Sequence, residues 1–390
     1  MTAHNRAPDV VVLGGGVAGL AVAWRAAQRG MGVVLVERDR IGAGATSSAA
    51  GMLAPTTEAD AREPALLDLG LAAARAWPEF AAQLAAASGS DPGYHRCGTL
   101  VVARDRDEAE ALERERVLRE RLGLEVRRLR PSAARELEPA LAPALRLALE
   151  APGDHAVDPR ALAAALAKAA RAAGAELRTG AALERVLVEE DAIEGVELAG
   201  GERIVAPRIV VALGAWSGAV PGLPDRAQVP VRPVKGQWAR LRDPSGSGLL
   251  RRIVRMAGAY LVPRGDGRYV LGATMEERGF DTSVTAGALF ELLRDAAELV
   301  PGTSELAVEE LGAGLRPGTP DNLPVVGPGA LDGLHWATGH HRNGILLAPV
   351  TGDLALAALA EPDARPPGIA ATDPGRFAAD AAAASAGARA

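Results

Sequence analysis

Residues 10–13 (Val-Val-Val-Leu) run directly into three glycines, and that junction restricts the fold more than any other feature of the chain. A short, wholly apolar run of this kind reads as a strand buried on both faces. Val17–Arg29 carries helix formers with an apolar face and stops at Gly30, and Val33–Val36 is a second β-branched run closed by Glu37. Strand, glycine turn, helix and strand within about 30 residues make a βαβ unit. Gly14, Gly16 and Gly19 have the spacing of a dinucleotide loop. The first permits the tight turn, the second lets a pyrophosphate approach the backbone, and the third lets helix and strand pack closely. The N-terminus of the helix, at Val17 and Ala18, offers free N–H groups and partial positive charge to phosphates. Glu37, followed by Arg38, ends the second strand where a carboxylate can accept hydrogen bonds from ribose hydroxyls.

The loop that follows, Gly42–Met52, is made of small residues, among them Ala45, Thr46, Ala50 and Gly51. Backbone that poor in side chains can lie against a flat ring system, which suits a flavin dinucleotide; a mobile surface loop is the alternative. A second apolar run, Ile209–Leu213, ends at Gly214 and resembles the second flavin-contacting strand of two-domain flavoproteins. Val186, in the short strand expected at 183–188, is also assigned to the cofactor. Elsewhere the pattern predicts helices at 62–88 (with a bend or new start at Trp77–Pro78), 105–122, 159–173 and 285–300, and a last one from about Gly344. Asp158 before Pro159 is an N-cap followed by proline at the first helical position. Strands are expected at 99–103, 176–179, 193–198 and 203–205, through Val229–Thr274, and at Val325–Val326 and His335–Ala337.

With 390 residues, two or three structural units are expected. The net charge of -6 argues against nucleic acid, whose binding rests on clustered Lys and Arg. A single cysteine, Cys97, excludes an internal disulfide framework and points to a reducing cytoplasm. The six histidines have no familiar ligand spacing, so no metal is expected. Glycines 14, 15, 16 and 19 break the apolar stretch near the start, which argues against a signal peptide, and no run is long enough to span a membrane. A soluble, cytoplasmic protein with no membrane partner is therefore expected. The low-complexity stretch 373–390 is expected to be disordered.

Four further segments narrow the function. Ala259-Tyr-Leu-Val-Pro-Arg264, Gly272-Ala-Thr-Met275, Gly314-Leu-Arg-Pro-Gly-Thr-Pro-Asp321 and Gly339-His-His-Arg-Asn-Gly-Ile-Leu-Leu-Ala-Pro349 resemble signature segments of glycine oxidases, members of the D-amino-acid oxidase family of FAD-dependent amine oxidases. Ser48–Leu53 and Pro233–Gly236 extend the likeness, which runs from about Pro8 to Leu359. The resemblance implies an α/β fold. A Rossmann-like FAD-binding domain, from about 8–90, 150–225 and 318–365, would be joined by a mainly antiparallel-sheet substrate domain from about 91–149 and 226–317. It implies oxidative deamination of glycine, and of sarcosine and small D-amino acids, with O2 as acceptor, by a homo-oligomer (a tetramer) whose imine passes to thiazole synthase in thiamine biosynthesis.

By the same resemblance Arg316 grips the substrate carboxylate, a role suited to a planar guanidinium fork. Tyr260 is a second donor, Arg342 contacts substrate, and Met52 and Met275 wall the pocket. His340, His341, Arg342, Asn343, Gly344, Ile345 and Leu346 face the flavin. Two departures stand out. Met256-Ala-Gly-Ala259 puts small residues where some relatives carry His or Cys, which enlarges the pocket and puts strict glycine preference in doubt. Related sarcosine oxidases attach flavin through a C-terminal cysteine; Cys97 lies far upstream, so FAD is expected to be non-covalent. A dehydrogenase or oxidase for D-amino acids or sarcosine, or a non-catalytic FAD-binding subunit, remain the alternatives.

Overall fold

All four side chains of Val10–Leu13 are buried, and alternate residues enter different cores. Val10 and Val12 pack against helices, while Val11 and Leu13 meet an antiparallel three-stranded sheet formed by 183–189, 192–198 and 203–205. The computed structural model describes residues 7–246, 248–360 and 368–377. In it, Val10–Leu13 is a central strand of a six-stranded sheet ordered 325–328, 334–338, 209–211, 10–13, 33–37, 176–179. Every pairing is parallel except that of the first two strands. The helices Val17–Gln28, Pro64–Ser88, Pro159–Ala172 and Ala348–Ala360 bury their apolar faces on one side of it.

A second, eight-stranded sheet is ordered 307–318, 232–242, 268–272, 259–263, 253–256, 99–103, 147–151, 127–129. It is antiparallel throughout except where 253–256 runs beside 99–103. The helix Ala286–Leu299 covers one face with Leu292, Ala296 and Leu299. This is an α/β architecture with a mainly antiparallel second sheet.

Three expectations are corrected. Pro64–Ser88 continues through Pro78, so no new helix starts there. Trp77 and Phe80 on either side are buried edge-to-face at 5.4 Å, and Trp24 joins them at 5.5 Å, so packing holds the turn that lacks a backbone bond. The last helix starts at Ala348, not Gly344. Pro349 explains this: in the first turn its missing N–H costs nothing, whereas a start at 344 would place it in the helix interior. Residues 374–377 of the expected disordered tail form a 3-10 turn, anchored by the buried Phe377 and by Arg376 on Asp321; 378–390 lie outside the described residues.

Asp158 caps its helix as expected, accepting from the N–H groups of Arg160 and Ala161 at 2.9 and 3.4 Å. Asp158→Ala should cost about 1–2 kcal/mol of stability. Urea unfolding should show a lower midpoint at unchanged slope.

Candidate active site

Strand ends and loops of the two sheets enclose a cavity of about 1040 Å³. Its first wall is the glycine turn. Gly14 has φ +109°, and a Cβ there would lie 2.4 Å from the Ala212 carbonyl oxygen. Gly19 does not line the cavity; a Cβ on it would meet the Gly14 carbonyl oxygen at 2.0 Å, so it sets how closely the helix approaches the strand. Gly16, Val17 and Ala18 do line it. The Val17 N–H donates to Thr46 Oγ1 at 3.0 Å, so the loop at 45–48 caps the helix from across the turn. Glu37 accepts from the Gly15 N–H at 2.7 Å and the Asp39 N–H at 2.8 Å, which fixes its carboxylate at the cavity edge. The Arg38 guanidinium lies 4.0 Å over the Trp216 ring, which stacks on Phe280. Neither aromatic was picked out from the sequence.

The loop through Ala45, Thr46, Ala50, Gly51 and Met52 forms the next wall, with Gly214 opposite. Its shape is imposed from the second sheet. Arg240 donates to the Ser47 carbonyl at 2.6 Å, and Arg264 to those of Ala50 and Val157 at 2.7 and 3.2 Å. Burial draws Arg264 down to about 10. The strand 307–318 was not expected, because Gly312, Gly314, Pro317 and Gly318 hide its apolar pattern, yet it carries Arg316. Gly236 on the neighbouring strand gives Arg316 room, since a Cβ there would meet its guanidinium at 2.2 Å. Nη1 donates to the carbonyls of Lys235 and Thr274 at 3.3 and 3.1 Å, leaving the rest of the fork for other partners. Arg316 forms no ion pair among the described residues.

Tyr260 faces the same cavity; burial raises its hydroxyl pKa against the pull of the adjacent Arg316 charge, so it stays a neutral donor. Met52 and Met275 both line the space, Met275 with 59% of its surface exposed. Arg342 lines it too, with Nε 3.0 Å from Glu58 Oε2. His340, His341, Asn343, Gly344, Ile345 and Leu346 complete this end. His340 bonds Thr351 Oγ1 at 2.8 Å, and burial lowers it to about 4. His341, at φ +46°, is lowered to about 4 by burial and then by the charges of Arg316, Arg342 and Arg232.

The Val186 side chain is buried in the core beneath the three-stranded sheet, and Ala181–Leu183 at the start of that hairpin line the cavity. Cys97 packs half-buried among Ala50, Ala156, Ile253 and Val262, with burial raising its thiol to about 11.

The residues present fit a dinucleotide with a flat ring. Gly16, Gly44 and Gly214 leave a groove clear of side chains from the helix N-terminus to the small-residue loop. It opens without a break into the pocket of Tyr260 and Arg316.

The model of the family described as FAD dependent oxidoreductase, DAO, matches residues 9–358. A glycine oxidase of Geobacillus kaustophilus (strain HTA426) is 37% identical over 349 residues, 88% of this chain and 90% of that one. A bifunctional protein ThiO/ThiG of Trichormus variabilis is 35% identical over 348 residues, 89% of this chain but 52% of the relative, so the chain spans about half its length. The crystal structure of glycine oxidase from Geobacillus kaustophilus superposes with a TM-score of 0.87 at 35% identity, covering 94% of this chain and 98% of that one.

Proposed function

The chain belongs to the family of FAD dependent oxidoreductases and is an FAD-dependent amino-acid oxidase, and from that premise we propose that it deaminates glycine oxidatively, with O2 as acceptor. One observation carries the reading. Arg316 is a half-buried guanidinium without a carboxylate partner among the described residues, set beside the Tyr260 hydroxyl in the pocket that continues the nucleotide groove. An amino-acid carboxylate supplies the missing anion.

FAD, when bound, supplies the two-electron acceptor. The groove formed by Gly14, Gly16, Val17, Ala18 and Glu37 would hold its nucleotide end, and Ala45–Met52 with His340–Leu346 its ring. Arg316 and Tyr260 fix the substrate carboxylate, so the α-carbon is oriented and most of the catalytic work is positioning. Neutral His340 and His341 keep added charge off the amine, which must lose a proton before its lone pair can assist. Met52 and Met275 wall the pocket. The imine formed gives glyoxylate and ammonia on hydrolysis, and reoxidation by O2 gives H2O2. Sarcosine and small D-amino acids fit the same description.

Non-covalent FAD is supported by Cys97, which sits in apolar packing behind the cavity wall and does not line it. The ThiO/ThiG relative supports transfer of the imine to a thiazole synthase. A homo-oligomer in the cytoplasm completes the proposal, and among the described residues no helix is long and apolar enough to cross a membrane. The FAD-binding unit is taken as about 8–90, 150–225 and 318–365, and the substrate unit as 91–149 and 226–317.

Glycine added to the yellow holoprotein without oxygen should bleach the flavin, and admitting air should yield one H2O2 per glycine consumed. A flavin that stays oxidised with glycine, sarcosine and D-alanine alike overturns the proposal.

A further inference from the structure

Ala257 and Gly258 form a two-residue turn that pairs Met256 with Ala259 and Arg255 with Tyr260. Directly paired residues of adjacent strands share a face, so Arg255 points into the cavity beside Tyr260, and it is part of the cavity wall. Its guanidinium is 3.1 Å from Glu58 Oε1, while Arg342 holds the other oxygen at 3.0 Å. Glu58 is itself fixed. The preceding N–H groups of Thr56 and Thr57 donate to the buried Asp154 at 3.0 and 2.7 Å. Their carbonyls accept from the buried Arg119 at 2.9 and 2.8 Å.

One carboxylate thus serves two guanidiniums, and Arg316 has none. A substrate α-carboxylate balances one of the two excess positive charges and leaves the other facing the pocket. The excess is felt locally, since Arg316 and Arg342 both help to hold His341 neutral.

We propose that Arg255 and Arg342, braced by Glu58, form a second carboxylate subsite, so that the enzyme takes amino acids bearing a second carboxylate in a carboxymethyl group on the amine nitrogen or on the α-carbon. This rests on the assignment of Arg316 to the α-carboxylate. The oxidation is unchanged. The amine loses a proton, the α-carbon loses hydrogen with two electrons to FAD, and O2 carries those electrons off with two protons as H2O2. Water then splits the imine, giving glyoxylate and glycine from iminodiacetate, or oxaloacetate and ammonia from D-aspartate.

The test compares matched pairs on the holoenzyme: iminodiacetate with sarcosine, D-aspartate with D-alanine, and the unreactive malonate with acetate as inhibitors. The dicarboxylate of at least one reactive pair should have the higher kcat/KM by tenfold or more, and the pair that does identifies where the second carboxylate is carried. Malonate should bind at least tenfold more tightly than acetate. Arg255→Met should erase these ratios through KM, whereas Glu58→Gln, which frees both guanidiniums, should widen them several-fold. Equal values within every pair overturn the subsite. So does an Arg255→Met that slows all substrates by one common factor in kcat, because the charge would then serve the reduced flavin. Failure of glycine to bleach the flavin would sink the oxidase assignment separately, and the malonate to acetate ratio would still decide the subsite.

Discussion

Arg316→Ala should raise the KM for glycine by about 100-fold or more while the protein stays yellow. Removing one partner of a buried, hydrogen-bonded charge pair costs about 2–5 kcal/mol, and each 1.4 kcal/mol is about tenfold in affinity. The side chain sits in a slot made for it, between the bare face of Gly236 and the carbonyls of Lys235 and Thr274. Truncation therefore leaves a hole rather than a rearranged donor. Arg316→Lys should recover only part of the loss, because an ammonium keeps the charge without the fork. Steady-state turnover with the flavin spectrum recorded alongside gives both answers. Unchanged KM in the alanine variant would remove Arg316 from the substrate.

The second large effect concerns the cofactor. Gly19→Ala should yield a largely colourless protein, with FAD affinity reduced by about tenfold to 100-fold. The new Cβ would lie 2.0 Å from the Gly14 carbonyl oxygen, a rigid backbone atom, so the helix must move off the strand. Overpacking of this kind costs about 1–3 kcal/mol. The cavity-lining backbone at Gly16 and Ala18 would shift with the helix, and the Val17 N–H would be drawn off Thr46. Gly287→Ala is the control: its Cβ would meet nothing within 4 Å, on the exposed first turn of Ala286–Leu299. Fluorescence titration of apoprotein with FAD should separate the two. Equal affinities would show that the glycine turn tolerates displacement.

The βαβ unit was legible because its information is local: apolar runs, glycines and an acid in fixed order over residues 10–37. Arg316 and Tyr260 were legible only through motif resemblance, since most arginines of the chain pair on the surface and nothing in composition marks one as a ligand. The strand carrying Arg316 was hidden by its glycines, which admit side chains of its neighbours: Gly312 takes Trp238 of the adjacent strand and Gly314 takes Ser48 of the turn 45–48. Glu58, Arg119 and Asp154 gave no local signal for their place here, because apart from the Arg119–Glu115 pair the partners of their side chains are 62 to 284 positions away. Arg255 was closer to reach. The turn at Ala257–Gly258 sets it opposite Tyr260, and a hairpin reading of that stretch would have placed both on one face.

Along 42–52 only Thr46 and Ser47 hold the conformation from within, on the helical turn 45–48. The rest of its curvature depends on two guanidiniums 193 and 214 positions downstream, Arg240 and Arg264, which grip its peptide oxygens. A transplant of that stretch into another scaffold would therefore arrive limp, carrying the motif's letters without its form. The heritable unit is the loop together with its distant clasps, and drift at either arginine would be felt first as a blurred flavin bed.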